Sequence, residues 1–324
     1  MAHGSMGKRV AHHIAGGAAL TGHAPRRKAG FPDLGFAPHA ESECPITAHP
    51  LPADFLDRYG PRALVLGGSE GIGEAFARQL AAAGFDLTLV ARRGDVLEKA
   101  AQQIRDVSDV DVACEIVDLA APDLESRAAA IIESGDHGLV VYNAGASHGV
   151  NLFLDRPVSQ ALSLVRLNCL GPVVFAHHAL SRMTERGRGG LILVSSMSAL
   201  AGGGYIAAYS ASKAFEIALA EGLHWEMQRK GVDVTCLVAG LTDTPAMAAA
   251  GMAVESDPDL PAMTSDEVAA IGLADLGKKA VTYAVGDAAA AAMRAMPRED
   301  LTDFMARSSA RLWGIEIEDG DKRK

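Results

Sequence analysis

Short apolar runs alternate with longer stretches of helical periodicity along most of the chain. Runs rich in Val, Leu and Ala predict strands at 63–67, 86–91, 112–117, 139–142, 191–195, 232–238 and 280–285. Helical spacing predicts helices near 72–83, 94–107, 123–133, 156–184, 205–230 and 265–277. Such alternation is typical of an α/β fold, here a single Rossmann-type doubly wound parallel sheet of about seven strands with helices on both faces.

The two ends of the chain differ from this pattern. Residues 1–54 combine many His, Gly and Pro residues with no sustained apolar period, so we expect a disordered leader. The Rossmann-fold domain is then predicted at 55–297, and a C-terminal helix with a charged tail at 298–324. Apolar residues at helical spacing in that last helix predict packing against the domain, and a flap over a ligand cleft is the alternative.

Composition and charge exclude several classes of function. The hydrophobic share is 49% and the aromatic share only 5%, which suits helices on a parallel sheet. A net charge of −10 argues against a nucleic-acid partner. Four cysteines, at 44, 114, 169 and 236, are far apart and indicate neither a disulfide scaffold nor a metal site. No stretch of 18 uncharged apolar residues occurs, so we expect a cytoplasmic protein without stable membrane insertion.

A tyrosine and a lysine four residues apart supply the first candidate chemistry. Tyr209 and Lys213 lie on one face of the helix predicted at 205–230, with Ser196 thirteen residues upstream. Free tyrosine ionises near pH ~10, and an adjacent positive charge favours its phenolate. The pair therefore predicts proton transfer to or from an alcohol, although a pair on a helix surface has the same spacing.

A glycine-rich turn follows the first strand and opens a helix. In Gly67-Gly68-Ser69-Glu70-Gly71-Ile72-Gly73 the glycines let the backbone approach a pyrophosphate at the helix N-terminus. The second strand ends in Arg92 and Arg93, where an NAD site usually has an acid, so NADP is favoured and NAD is the alternative. We expect Glu70 to pair with Arg92.

These motifs together resemble the short-chain dehydrogenase/reductase family across about residues 60–285. The glycine turn is similar to the family's, with Leu66 in place of its threonine. Tyr142-Asn143-Ala144-Gly145 resembles the family's Asn-Asn-Ala-Gly, and Ala239-Gly240 its Pro-Gly. Other matches are Asp118-Leu119, Asn168, Ser196, Thr244 and the Tyr-x-x-x-Lys pair.

The resemblance implies a reaction and its residues. Ser196 would bind the substrate oxygen, Tyr209 would exchange a proton with it, Lys213 would support the tyrosinate and hold the ribose, and Asn168 would support a water relay. Ser198 is the alternative to Ser196, and Asn168 could instead satisfy buried backbone. The expected cofactor contacts are Gly67, Ser69, Gly71, Ile72, Gly73, Arg92, Arg93, Asp118, Leu119, Asn143, Ala144, Gly145, Tyr209, Lys213, Gly240, Thr242 and Thr244.

The predicted function is an NAD(P)-dependent oxidoreductase of secondary alcohols and ketones. Met247, Met252 and Met263, in or beside a segment where the family has a substrate loop, favour an acyl-, steroid- or ring-like substrate, although core filling is an equal explanation. The alternative is a catalytically silent NADP(H)-binding regulator or scaffold. Epimerase chemistry is disfavoured because the glycine spacing differs. The resemblance implies a homodimer or homotetramer.

Overall fold

A computed structural model describes residues 51–146, 149–249 and 262–315. The expected disordered leader lies outside these ranges except for its last four residues, and the charged tail from residue 316 also lies outside them. All described residues fall within one compact unit.

The strands and helices follow the predicted alternation. The strands are β1 (Arg62–Leu66), β2 (Asp86–Ala91), β3 (Val112–Ile116), β4 (His137–Tyr142), β5 (Gly189–Ser196), β6 (Val232–Ala239), β7 (Thr242–Asp243), β8 (Met263–Thr264) and β9 (Val281–Tyr283). The helices are α1 (Phe55–Tyr59), α2 (Gly71–Ala82), α3 (Gly94–Arg105), α4 (Leu124–Glu133), α5 (Val158–Val165), α6 (Gly171–Arg186), α7 (Ala207–Met227), α8 (Pro245–Ala249), α9 (Ser265–Asp275), α10 (Asp287–Ala295) and α11 (Arg298–Leu312).

Seven parallel strands form one sheet in the order β3-β2-β1-β4-β5-β6-β9, which confirms the predicted doubly wound architecture. The short strands β7 and β8 pair with each other outside it. Strand order reverses beside β1, because the chain returns from β3 to place β4 on the other side of β1. Ligands of such sheets bind at this crossover, beyond the carboxyl ends of the strands.

Two apolar clusters cover the two faces of the sheet. On one face, Phe76 and Leu80 of α2 and Leu273 of α9 pack with Val65 of β1. On the other, Phe175 of α6 packs with β1 and β4 residues and with α4 and α7. Successive residues of β1 alternate between the clusters, as the period of a strand requires. Because helices cover both faces, the strands are largely apolar.

The strand register brings the carboxyl ends of four strands to one edge of the sheet. Leu66 of β1 and Leu193 of β5 both pair with Tyr142 at the end of β4, and Ser196 of β5 pairs with Ala239 of β6. The segments that follow these strands therefore start side by side, and they contain most of the predicted site residues.

The long helix predicted at 156–184 is interrupted. Helices α5 and α6 are separated by a π-helical turn at Arg166–Leu170, which contains Asn168. The phenol of Tyr142 donates a hydrogen bond of 2.7 Å to the carbonyl of Leu167 in this turn. A Cβ at Gly171 would collide with the same phenol, so glycine leaves the space that the tyrosine occupies. The contact joins the end of β4 to the Asn168 turn.

The helical stretch Val158–Arg186 is the one segment among the described residues that is long and apolar enough to cross a membrane. Length and composition are the only grounds for considering it. Only 28% of its most apolar window is buried within the protein, so much of its apolar surface faces outward.

We predict that Tyr142→Phe lowers the free energy of unfolding by about 1 to 3 kcal/mol, because the substitution leaves the Leu167 carbonyl without its donor. Urea denaturation measures the difference. Tyr283→Phe is the matched control, since the Tyr283 hydroxyl receives only a 3.4 Å contact from Arg294. Equal stability of Tyr142→Phe and the unmodified protein would contradict the bracing role.

Candidate active site

Helix α7 carries the tyrosine and the lysine on one face near its N-terminus. Tyr209 is half-buried, whereas Lys213 is buried. The Lys213 ammonium donates to the Val194 carbonyl at 2.9 Å and to both carboxylate oxygens of Glu216 at 3.0 Å. The Ser195 hydroxyl donates to the Lys213 carbonyl at 2.7 Å, so the end of β5 holds this turn of α7 in place.

Ser196 and Tyr209 line the same cavity. The serine ends β5, and its Oγ accepts hydrogen bonds from the hydroxyl of Ser198 at 3.0 Å and from its backbone N–H at 3.3 Å. Ser198 also lines this cavity, whose volume is about 260 Å³. Ser196 thus caps the turn after β5 and also faces the cavity, and Ser198 stays beside it as the alternative hydroxyl.

Asn168 is fully buried and its amide is bonded to protein groups. Its Nδ2 donates to the Ala146 carbonyl at 3.2 Å and to the Ser212 hydroxyl at 3.0 Å, and its Oδ1 accepts from the Ala146 N–H at 3.3 Å. Ser212 in turn donates to the Tyr209 carbonyl at 2.8 Å. These contacts join the segment after β4 to α7. The side chain satisfies buried backbone, and its place in a water relay stays a prediction.

The glycine turn packs so closely that side chains do not fit. A Cβ at Gly73 would strike the Gly67 carbonyl and the Asn143 amide, and Gly67 itself has φ of +79°. Asn143 fixes the turn, because its Nδ2 donates to the Gly67 carbonyl at 3.2 Å and its N–H to the Leu66 carbonyl at 3.0 Å. The bare turn before α2 therefore suits the pyrophosphate of a dinucleotide, which binds free N–H groups at a helix N-terminus.

The segment after β6 lies against this turn. A Cβ at Gly71 would approach the Thr244 methyl at 3.2 Å, so the predicted threonine lies beside the start of α2. Thr242 is buried and donates to the Gly240 carbonyl at 3.1 Å. A Cβ at Gly145 would lie 3.1 Å from Lys213 Nζ, which places the Asn143-Ala144-Gly145 segment next to the ammonium. The structure thus brings the predicted contacts of three strand ends together.

The expected Glu70–Arg92 pair is wrong. Glu70 instead forms an ion pair of 2.6 Å with Arg93. The two arginines follow β2 in succession, and it is the second that reaches back to the glycine turn. Arg92 is exposed, and its contact with a 2′-phosphate stays a prediction.

Asp118 and Leu119 follow β3 with different environments. Asp118 is exposed, and its carboxylate accepts a hydrogen bond of 2.9 Å from the Ala120 N–H. Leu119 is buried in the core cluster beneath the sheet. Their contact with an adenine ring stays a prediction.

Helices α10 and α11 form one wall of the cavity. Met293, Phe304, Met305 and Leu312 line it from these helices, and Met247 lines it from α8. Leu301, Phe304 and Met305 of α11 are buried, which agrees with the predicted packing of this helix, and a flap over the cleft stays the untested alternative. Met263 is buried in the core, where it fills space, and Met252 lies outside the described residues.

Sequence reasoning missed three groups around the site. Glu216 reads as an ordinary surface acid, although its position three residues after Lys213 places it on the same face of α7. Ser308 and Ser309 add hydroxyls to the apolar cavity wall. Tyr205, just before α7, has a left-handed backbone with φ of 64°, and no pattern in the sequence marks it.

Comparison with known proteins identifies the family to which this site geometry corresponds. The family model described as short chain dehydrogenase matches residues 61–254. A 7beta-hydroxysteroid dehydrogenase of Clostridium sardiniense is 32% identical over 259 residues, which cover 78% of this chain and 96% of the relative. A very-long-chain 3-oxoacyl-CoA reductase of Podospora anserina is 32% identical over 58% of each chain.

A solved structure extends the comparison to the fold. The short-chain dehydrogenase from Sphingobium yanoikuyae in complex with NADPH superimposes with a TM-score of 0.66 at 26% identity, covering 82% of this chain and all of its own. The family match spans more than half of the chain, and the sheet order, glycine turn and Tyr209–Lys213 pair agree with it. The chain therefore belongs to the short-chain dehydrogenase family and is a nicotinamide-dependent oxidoreductase of hydroxyl and carbonyl groups.

Proposed function

We propose that this protein is an NADP(H)-preferring oxidoreductase that interconverts a bulky, apolar ketone and its secondary alcohol. One observation carries the proposal: Ser196 and Tyr209 line a single, largely apolar cavity, and the buried Lys213 follows Tyr209 by one turn of the same helix. The location we propose is the cytoplasm.

The chain's own groups have defined parts in this reaction. Ser196 donates a hydrogen bond to the substrate oxygen, and Tyr209 gives that oxygen a proton during reduction or removes one during oxidation. Lys213 stabilises the negative charge that develops on the phenol oxygen. A bound nicotinamide supplies or accepts the hydride. Asn168 keeps the segment after β4 and the first turns of α7 in register.

The cavity favours a large ring- or chain-shaped substrate. Its wall combines Phe304 and Leu312 with methionines, and methionine side chains are flexible enough to fit an irregular apolar shape. Ser308 is buried in the same wall, and its hydroxyl has no hydrogen-bond partner within the described part of the chain. A polar substituent at the far end of the substrate would satisfy it. The hydroxysteroid and oxoacyl-CoA activities named for two relatives agree with such a substrate.

A catalytically silent cofactor-binding protein is the competing function. This alternative is considered because Leu66, Tyr142 and Ala239 replace residues that are typical of the family. Tyr142 now has a structural role of its own, and Asn143 fixes the glycine turn through the backbone carbonyls of Leu66 and Gly67, so no side-chain hydroxyl is needed at position 66. The position of the half-buried Tyr209 in the cavity wall also favours turnover.

Arginine use at the end of β2 supports NADPH over NADH. Arg93 is engaged by Glu70, which leaves Arg92 as the guanidinium for a 2′-phosphate. The NADPH complex of the Sphingobium relative is consistent with this preference.

The exposed apolar faces of the long helices support self-association. Leu162, Val165, Leu170 and Val173 are between 39% and 50% exposed along α5, the π turn and α6, and Trp225 of α7 is 71% exposed. Contiguous exposed apolar side chains mark interaction surfaces, and most soluble oligomers are symmetric homo-oligomers. We therefore propose a homodimer or homotetramer built on these helices.

We predict that Tyr209→Phe lowers NADPH-dependent reduction of bulky ketones by about 100- to 10,000-fold, because it removes the proton donor. NADPH consumption is followed with a panel that includes steroid ketones, long 3-oxoacyl thioesters and small ketones. NADPH binding by the variant serves as the control for an intact site. Undiminished turnover in the variant would reject the role of the phenol, and NADPH binding without any turnover by the unmodified protein would favour the silent alternative.

We predict that Arg92→Ala weakens NADPH binding by roughly tenfold or more and NADH binding much less, because a charge-assisted contact to the 2′-phosphate is lost. Fluorescence titration measures both affinities. Arg93→Ala is the matched control and should have the smaller effect, since Glu70 already neutralises Arg93. Equal losses for both cofactors in Arg92→Ala would contradict the phosphate assignment.

We predict that Val173→Glu halves or quarters the molecular mass in solution, because a carboxylate placed in the apolar face of α6 must be desolvated in the interface. Light scattering during gel filtration gives the mass. Val107→Glu, at a position 82% exposed outside these helices, should leave the assembly unchanged. A monomeric unmodified protein at micromolar concentration would refute the proposed assembly.

A further inference from the structure

A buried carboxylate stands directly behind the active-site lysine. Both oxygens of Glu216 lie 3.0 Å from Lys213 Nζ, and the Val194 carbonyl accepts the remaining ammonium hydrogen bond at 2.9 Å. Glu216 is 0% exposed and Lys213 is 5% exposed. An ammonium has three donors, and in this structure all three are directed at fixed protein acceptors, so the expected contact of Lys213 with the ribose stays a prediction.

The helix itself produces this arrangement. Tyr209, Lys213 and Glu216 occupy positions i, i+4 and i+7 of α7, which fall on one face one turn apart. Lys213 therefore stands between Tyr209 and Glu216 along this face of the helix. Glu216 is fully buried, so an acid at this point is not part of a charged surface face.

The ammonium is the one charged partner of this carboxylate among the described residues. The other ionisable groups that interact with Glu216 are Tyr142 of β4, Cys169 of the π turn and Cys236 of β6. Burial raises the pKa of each of these three groups, so the phenol and both thiols are uncharged at neutral pH. Lys213 also faces Tyr209.

Each member of the pair depends on the other. Burial acts to lower the pKa of Lys213, but the Glu216 carboxylate and Tyr209 raise it above its ordinary value. Burial raises the pKa of Glu216 to about 7, although Lys213 opposes the change. Removal of one partner from such a pair leaves an uncompensated buried charge.

We propose that Glu216 is a positioning residue of the active site, which keeps the Lys213 ammonium charged and in place and offsets part of its positive field at Tyr209. An unpaired ammonium would favour the phenolate more strongly, and an unpaired, desolvated ammonium would lose its proton more easily. In the first case the phenol would lose its proton at a lower pH, and in the second the developing phenolate would lack its positive partner. Each change reduces proton donation to the substrate as pH rises. The catalytic consequence rests on the proposed ketone reduction, whereas the electrostatic pairing does not.

The pairing is tested on the cofactor-free protein by NMR titration of lysine labelled with ¹³C at Cε. The Lys213 signal of the unmodified protein should stay in its charged form from pH 6 to 10. In Glu216→Gln, which keeps the shape but removes the charge, its titration midpoint should fall by roughly one pH unit or more. Glu226→Gln changes an exposed acid on the same helix and should behave as the unmodified protein.

Identical Lys213 titrations in Glu216→Gln and the unmodified protein would overturn the proposal. If circular dichroism shows that Glu216→Gln does not fold, the titration of the unmodified protein decides: a charged Lys213 up to pH 10 supports the pairing, and a proton lost below that pH refutes it. Glu216→Asp keeps the charge on a shorter side chain, so the titration midpoint of Lys213 in this variant should lie close to that of the unmodified protein.

The same variants test the catalytic consequence. The alkaline limb of the pH profile for ketone reduction should move to lower pH in Glu216→Gln and not in Glu226→Gln. A uniform loss of activity with an unchanged profile would indicate a purely structural role and refute positioning. Failure of the proposed function has a different signature, since the unmodified protein would then reduce no ketone while the NMR result would stand.

Discussion

The parallel register of the central sheet is the constraint on which the site depends. Because β1, β4, β5 and β6 end at one edge, the glycine turn, the Asn143 segment, Ser196 and Gly240 all start at the edge that holds the crossover beside β1. Helices on both faces shield the strands from water. They also fix the register, since a slip by one residue would turn each strand's side chains toward the opposite apolar cluster.

A buried polar network transfers this order to the reacting groups. Ser195 at the end of β5 holds the Lys213 carbonyl, and Asn168 in the π turn holds both Ala146 and Ser212. Buried polar groups are costly when unpaired, so each contact restricts the neighbouring element to one position. Tyr209 of α7 thus lines the cavity, while Lys213, Asn168 and Ser195 are buried.

The strands and most helices could be predicted because burial on both sheet faces gives the strands apolar runs, as in the last four residues of Arg62–Leu66. The sequence also predicted the Tyr209–Lys213 pair, Ser196 and the glycine turn, because their spacing along the chain follows from local helix and turn geometry. The π turn and the Tyr142–Leu167 contact were not, because they depend on how α6 packs against β4. The choice of Arg93 over Arg92 by Glu70 depends on the path of the chain after β2. Glu216 escaped notice because a glutamate within a helix ordinarily faces water.

The central claim is that one cavity presents the substrate oxygen to Ser196 and Tyr209 together. A crystal structure with NADPH and a bulky ketone tests it most directly. The account predicts the ketone oxygen within about 2.6 to 3.2 Å of both hydroxyl oxygens, with the apolar body of the ketone against Phe304 and Met293. A ketone bound elsewhere, or with its oxygen out of reach of the Tyr209 phenol, would contradict it.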